Sequence, residues 1–142
     1  MEWHRGAARV AVVVAVLAIV GPTAGYGEEA PSADAIKALL KEAEGLQKDG
    51  QAAKAVPVLE RALEATKQRF GEETPSTATV MNLLAAAYRQ TGQSAKAEPL
   101  LRRCLEIREV KLGKDHLETA KTLNDLGLLY KFLNRPKEAL PA

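Results

Sequence analysis

Asn82 and Asn124 lie 42 residues apart, and each is followed seven positions later by a cation, Arg89 and Lys131. A side-chain amide donates and accepts hydrogen bonds at once, which suits it to the backbone of an extended peptide. A guanidinium or ammonium beside it suits a carboxylate, at about 1.5–3 kcal/mol for each charged hydrogen bond. If both segments are helical, Thr79, Asn82, Ala86 and Arg89 share one stripe, and Lys121, Asn124, Leu128 and Lys131 share its counterpart. Thr79, Asn82, Arg89, Lys121, Asn124 and Lys131 are therefore the candidate peptide-binding residues. The competing reading is a polar helix face that is merely wet. Leu128, on the second stripe, and Phe132, next to it, would be either an apolar anchor for a ligand or packing surface for a further helix.

Other chemistry finds little material. Beyond the first few residues the chain has one cysteine, Cys104, and one histidine, His116, too few for a metal site of clustered ligands. Cys104 stands 42 residues after Ala62 and reads as a small packing residue, and His116 takes the place of Thr74, where a helix cap or turn is expected. Glu72 and Glu73 are adjacent loop carboxylates, better explained by solvation than by acid–base work. No glycine-rich phosphate loop and no G-x-S-x-G turn occurs. No catalytic residue, metal or cofactor is expected, and the chain does not read as an enzyme.

The elements that would position the two stripes are set by an internal repeat. Residues 51–92 laid on residues 93–134 without gaps give 15 identities in 42 positions, and a third copy opens at Arg135. A period of this length means stacked supersecondary units, each burying its apolar face on the next. Every segment from Ala35 onward has helical rather than strand periodicity. Ala78, Met81, Leu84 and Tyr88 form one apolar stripe, echoed by Ala120, Leu123, Leu126 and Tyr130. Ile36, Leu39, Ala43 and Leu46 give the same pattern one unit earlier, and Val56, Leu59, Leu63 and Phe70 line the alternate helix, echoed by Leu101, Leu105 and Leu112. Gly50, Gly92 and Asn134 fall at equivalent helix ends, and Thr74–Pro75 reads as an N-cap followed by a first-turn proline. Pro57, Pro99 and Pro141 are expected early in the alternate helix, where a missing donor costs nothing. The spacing predicts helices over 35–48, 53–69, 76–90, 95–111 and 118–132, with a sixth opening at 136–142. The fold class is all-α, a helical-repeat solenoid of antiparallel helix pairs with about two and a half repeats.

The first 27 residues stand apart. Arg5 and Arg9 precede an unbroken apolar run, Val10–Val20, and small residues follow as far as Gly27. These are the parts of a secretory signal peptide with cleavage near Gly25–Gly27. Eleven residues make about 16 Å of helix, too short for a bilayer core of about 30 Å. The expected localisation is exported, periplasmic or secreted, with an uncleaved signal anchor as the alternative. Residues 28–34 are a polar lead-in and 35–142 the repeat array. Without Glu2, Arg5 and Arg9 the 20 basic and 18 acidic side chains leave a formal +1. That balance argues against nucleic acid as a partner, and against membrane beyond the signal segment.

Small residues recur where paired helices must cross closely, at Ala43, Ala85 and Gly127, at Ala55, Ala97 and Ala139, and at Ala62 and Cys104. Ala97, Glu98, Pro99 and Leu100 open the second full copy, followed by Leu105, Gly113, His116, Thr119, Ala120, Leu123, Asn124, Leu126, Gly127 and Tyr130. On these residues the chain resembles the tetratricopeptide repeat in its 42-residue kinesin-light-chain variant, over nearly all of residues 36–142. It departs from that pattern where the His-Pro pair is split between the copies and where Glu42 takes an apolar slot, as an end repeat with a polar outer face would. The resemblance implies a concave groove lined by the first helix of each pair, and a protein or peptide partner, with acidic groups in the ligand. The expected function is an exported interaction adaptor that holds an extended peptide. The alternatives are a structural segment that self-associates through its open C-terminal end, and the N-terminal regulatory array of a larger protein.

Overall fold

Among the described residues, three of five helices begin at a side chain that caps them. In the computed structural model, which describes residues 29–133, α1 (Ala33–Lys48), α3 (Pro75–Gln90) and α5 (Leu117–Phe132) follow Ser32, Thr74 and His116. Each of these side chains accepts a hydrogen bond from a first-turn backbone N–H, the histidine through Nδ1 from Glu118 N at 3.1 Å. The alternating helices α2 (Ala52–Phe70) and α4 (Ser94–Lys111) follow Gln51 and Gln93 and have no side-chain cap. Each helix starts one or two residues earlier than the periodicity suggested, because the caps lie outside the apolar stripes that revealed them. The expected signal peptide and the expected sixth helix lie outside the described residues.

Consecutive helices pack on one another, α1 on α2 through to α4 on α5, joined by short turns that make antiparallel pairs. After α1, Gly50 takes φ +74°, Gln51 N–H reaches Leu46 O and Gly50 N–H reaches Gln47 O. After α3, Gly92 takes φ +76° with the same two bonds, to Tyr88 O and Arg89 O. A residue with a Cβ resists that left-handed conformation, so glycine ends both helices at the same point of the repeat. Thr77 and Thr119, both fully buried, donate to Gly71 O and Gly113 O at 2.6 and 2.7 Å and so tie each preceding turn to the helix it introduces.

The small residues do what close crossing requires. Ala43, Ala55, Ala62, Ala85, Ala97 and Cys104 are all buried, with Leu59, Leu84, Leu101, Leu126 and Leu129 filling the layers between them. Cys104 Sγ–H donates to Ala78 O at 3.1 Å, and burial pushes the thiol pKa up. A thiol reagent is therefore expected to label Cys104 only as fast as the fold opens, and rapid labelling of native protein would contradict this packing role.

Four expectations need correction. Pro57 and Pro99 are inside their helices rather than in the first turn, because Gln51 and Gln93 start those helices six residues before. Both are exposed, as are Ala53 and Ala95, whose carbonyls they leave without a helical donor, so water can satisfy them. Phe70 is 44% exposed at the end of α2 rather than in the core. Leu105 and Leu112 are only half-buried. Ala120 is exposed and Leu123 half-buried, because the face of α5 they occupy has no described helix upon it.

Tyr88 and Tyr130 reach from one pair to the next, donating to Glu60 at 2.6 Å and Glu98 at 3.3 Å. Burial first, and then the Glu60 carboxylate, push the Tyr88 hydroxyl up to about 12 from 10.0. A folded-state value above the unfolded one means the contribution is complete below pH 10 and is lost between about 10 and 12. Between pH 9 and pH 11 the unfolding midpoint should therefore fall more for the parent than for Tyr88→Phe. Equal falls would show that Tyr88 is not so held.

Candidate functional site

α1, α3 and α5 are the first helices of successive pairs, and the face they share carries the two stripes. Their helical register puts Lys37, Leu40, Glu44 and Gln47 of α1 at the positions of Thr79, Asn82, Ala86 and Arg89 of α3, and of Lys121, Asn124, Leu128 and Lys131 of α5. Two of the six expected residues are already engaged. Thr79 Oγ1 donates to Pro75 O at 3.0 Å and accepts from Arg108 at 3.4 Å, and Lys121 is paired with Glu118 at 2.9 Å. Lys121 holds the Glu118 carboxyl below its ordinary range.

The other four are uncommitted among the described residues. Asn82 is half-buried, and its Oδ1 is shielded from solvent with no hydrogen-bond partner. An unsatisfied buried polar atom costs about 1–3 kcal/mol. Arg89 is half-buried and forms no ion pair with any described residue. It lines a cavity of about 220 Å³ with Ser94, Leu128, Leu129 and Phe132, so α3 and α5 bring a cation and exposed apolar side chains together. Leu128 is 50% and Phe132 76% exposed. Asn124 and Lys131 are exposed and make no hydrogen bond or ion pair with described residues. No direct bond joins Asn82 to Asn124 or Arg89 to Lys131.

Charge elsewhere is compensated more closely. On α4, Arg102 pairs with Glu98 at 3.0 Å, and Arg103 pairs with Glu73 and Glu106. Arg108 is almost wholly buried and reaches Glu118 Oε2 at 3.2 Å, Glu118 O at 3.1 Å and Thr122 Oγ1 at 2.8 Å. The arginine thus binds the end of α4 to the starts of α3 and α5. Sequence reasoning passed over it, although the repeat held the signal: a charged residue at 108 where the first copy has Thr66.

Residues of α1 were also missed. Lys37, Leu40, Lys41 and Gln47 line a cavity of about 310 Å³ floored by Leu59 and Leu83, next to a second of about 290 Å³ that shares Lys37 and Leu40. The α1–α3 half of the face is apolar with lysines at its edge, and the α3–α5 half carries the asparagines. Among the described residues no three histidine, cysteine or acidic side chains gather as metal ligands, and no helix is long and apolar enough to cross a membrane.

The sequence model of the tetratricopeptide repeat family matches residues 34–109 and 88–142. Among solved structures the chain is similar to BtubC (BKLC) from P. vanneervenii, described as kinesin light chain-like, with 25% identity and a TM-score of 0.67. That likeness covers 74% of this chain and 42% of the other, so the chain spans about two fifths of that structure's length. No curated protein matches it. Repeats of this family generally bind protein partners, and the fold is typically a scaffold rather than an enzyme.

Proposed function

This chain belongs to the tetratricopeptide repeat family, and from that premise we propose that it is an exported adaptor holding an extended peptide against the α1/α3/α5 face. Arg5, Arg9 and the apolar run Val10–Val20 support export. The observation that carries the binding role is that one stripe of α3 holds both an Asn82 amide oxygen without a partner and a half-buried Arg89 without an ion pair among the described residues. A protein-binding module keeps such groups at a cost to its own stability, because a ligand supplies what they lack. A peptide N–H would satisfy Asn82 once its amide turns outward, and an acidic group of the ligand would meet Arg89 and Lys131. Thr79 and Lys121 border the site and would exchange internal bonds for ligand bonds.

Affinity capture from an envelope extract tests this, with a variant carrying Asn82→Ala, Arg89→Ala, Asn124→Ala and Lys131→Ala alongside the parent. A protein held by the parent and lost from the variant, both equally helical by circular dichroism, is the expected result. Equal capture by both would remove these residues from the binding site.

A further inference from the structure

The cavity of about 290 Å³ between α1 and α3 is lined by Thr66 and Ser76, and one repeat later the equivalent positions hold an arginine and a glutamate. At the corresponding place between α3 and α5, the Arg108 guanidinium reaches Thr79 and Thr122 and pairs with Glu118 at 3.2 Å. Forty-two residues earlier those two positions are Thr66 and Ser76. Thr66 is short and spends its hydroxyl on Ala62 O at 2.6 Å, and Ser76 carries no charge to attract a guanidinium. The paired change from Arg–Glu to Thr–Ser leaves a hollow walled by Ile36, Leu40, Phe70 and Val80.

We propose that this hollow receives a leucine- or phenylalanine-sized side chain of the bound peptide, next to an acidic residue that meets Lys37. The proposal rests on the α1/α3/α5 face being the peptide site, and it adds which side chain that peptide must bring. Size fits, since about 150 Å³ already accommodates benzene in an apolar cavity. Charge selects the neighbour. Lys37 lines the hollow and makes no ion pair with a described residue, and Lys41 stands one turn further on beside the adjoining cavity. An arginine from the ligand would copy Arg108 in shape, but it would meet Lys37 and no lining carboxylate. The ligand class is therefore an acidic, apolar peptide.

Selection of displayed random short peptides on the full chain tests this. The parent should enrich peptides with leucine, isoleucine or phenylalanine beside aspartate or glutamate. Thr66→Arg with Ser76→Glu rebuilds the Arg–Glu arrangement and should weaken the enriched peptides by about tenfold to a hundredfold, the worth of one buried apolar side chain. Ser76→Trp, an exposed position at the edge of the hollow, should do the same without touching the core. Lys37→Ala should weaken the acidic peptides and leave their glutamine or asparagine versions unchanged. Undiminished binding to both filled variants would overturn the anchor, while loss of the same peptides on Asn82→Ala with Arg89→Ala would leave the groove standing. If the parent enriches no peptide, the groove fails and the anchor with it.

Discussion

Arg108→Ala is expected to lower stability by about 3 kcal/mol, the low end of the range for removing one partner of a buried ion pair. The low end applies because Glu118 is about one third exposed, so water takes over part of what the guanidinium supplied. What remains is a cavity between three helices, and Thr122 without its donor, although Thr122 Oγ1 keeps its own bond to Glu118 O at 3.0 Å. Arg103→Ala is the control. Arg103 has two carboxylate partners, Glu73 and Glu106, but stands on the surface, where screening leaves such pairs little net worth. Urea unfolding should show a large shift in midpoint for Arg108→Ala and little for Arg103→Ala. Similar shifts for both would mean that Arg108 does not join α3, α4 and α5 as its contacts indicate.

Asn82→Leu should change stability and binding in opposite directions. Leu40 occupies the equivalent position of α1, half-buried against the core, so the site tolerates the leucine shape. The substitution removes an amide oxygen that has no partner, and about 1–2 kcal/mol of added stability follows. Affinity for the captured partner should fall about tenfold, the cost of one lost hydrogen bond near a charged group. A variant that is less stable and binds normally would show that Asn82 has its partner inside the protein.

The repeat made most of the architecture legible before any coordinate. Small residues at Ala43, Ala55, Ala62, Ala85, Ala97 and Cys104 mark close crossings in sequence because little else can stand there, and all six are buried, whereas Gly127 on α5 is half-buried. Gly50 and Gly92 were readable for the same reason, since a positive φ restricts residue choice. Periodicity could not tell where a helix meets its cap, and it took the missing donors of Pro57 and Pro99 as costless although both fall past the first turn. It also treated the copies as equivalent, whereas the hollow lined by Thr66 exists because they differ. Thr79 and Lys121 read as free polar groups because their partners, Arg108 on another helix and Glu118 one turn away, are chosen by side-chain conformation rather than spacing. Arg89 was legible as a groove cation, but its company of Leu128 and Phe132 required the packing of α3 on α5.

The central claim is that the partner lies on the face shared by α1, α3 and α5. A photo-crosslinking side chain at Ala86, half-buried between Asn82 and Arg89, tests it against the same group at Arg61, exposed on α2. With the captured partner present, an adduct should form from position 86 and not from position 61. An adduct from position 61 with none from 86 would place the partner on the opposite face and contradict the account.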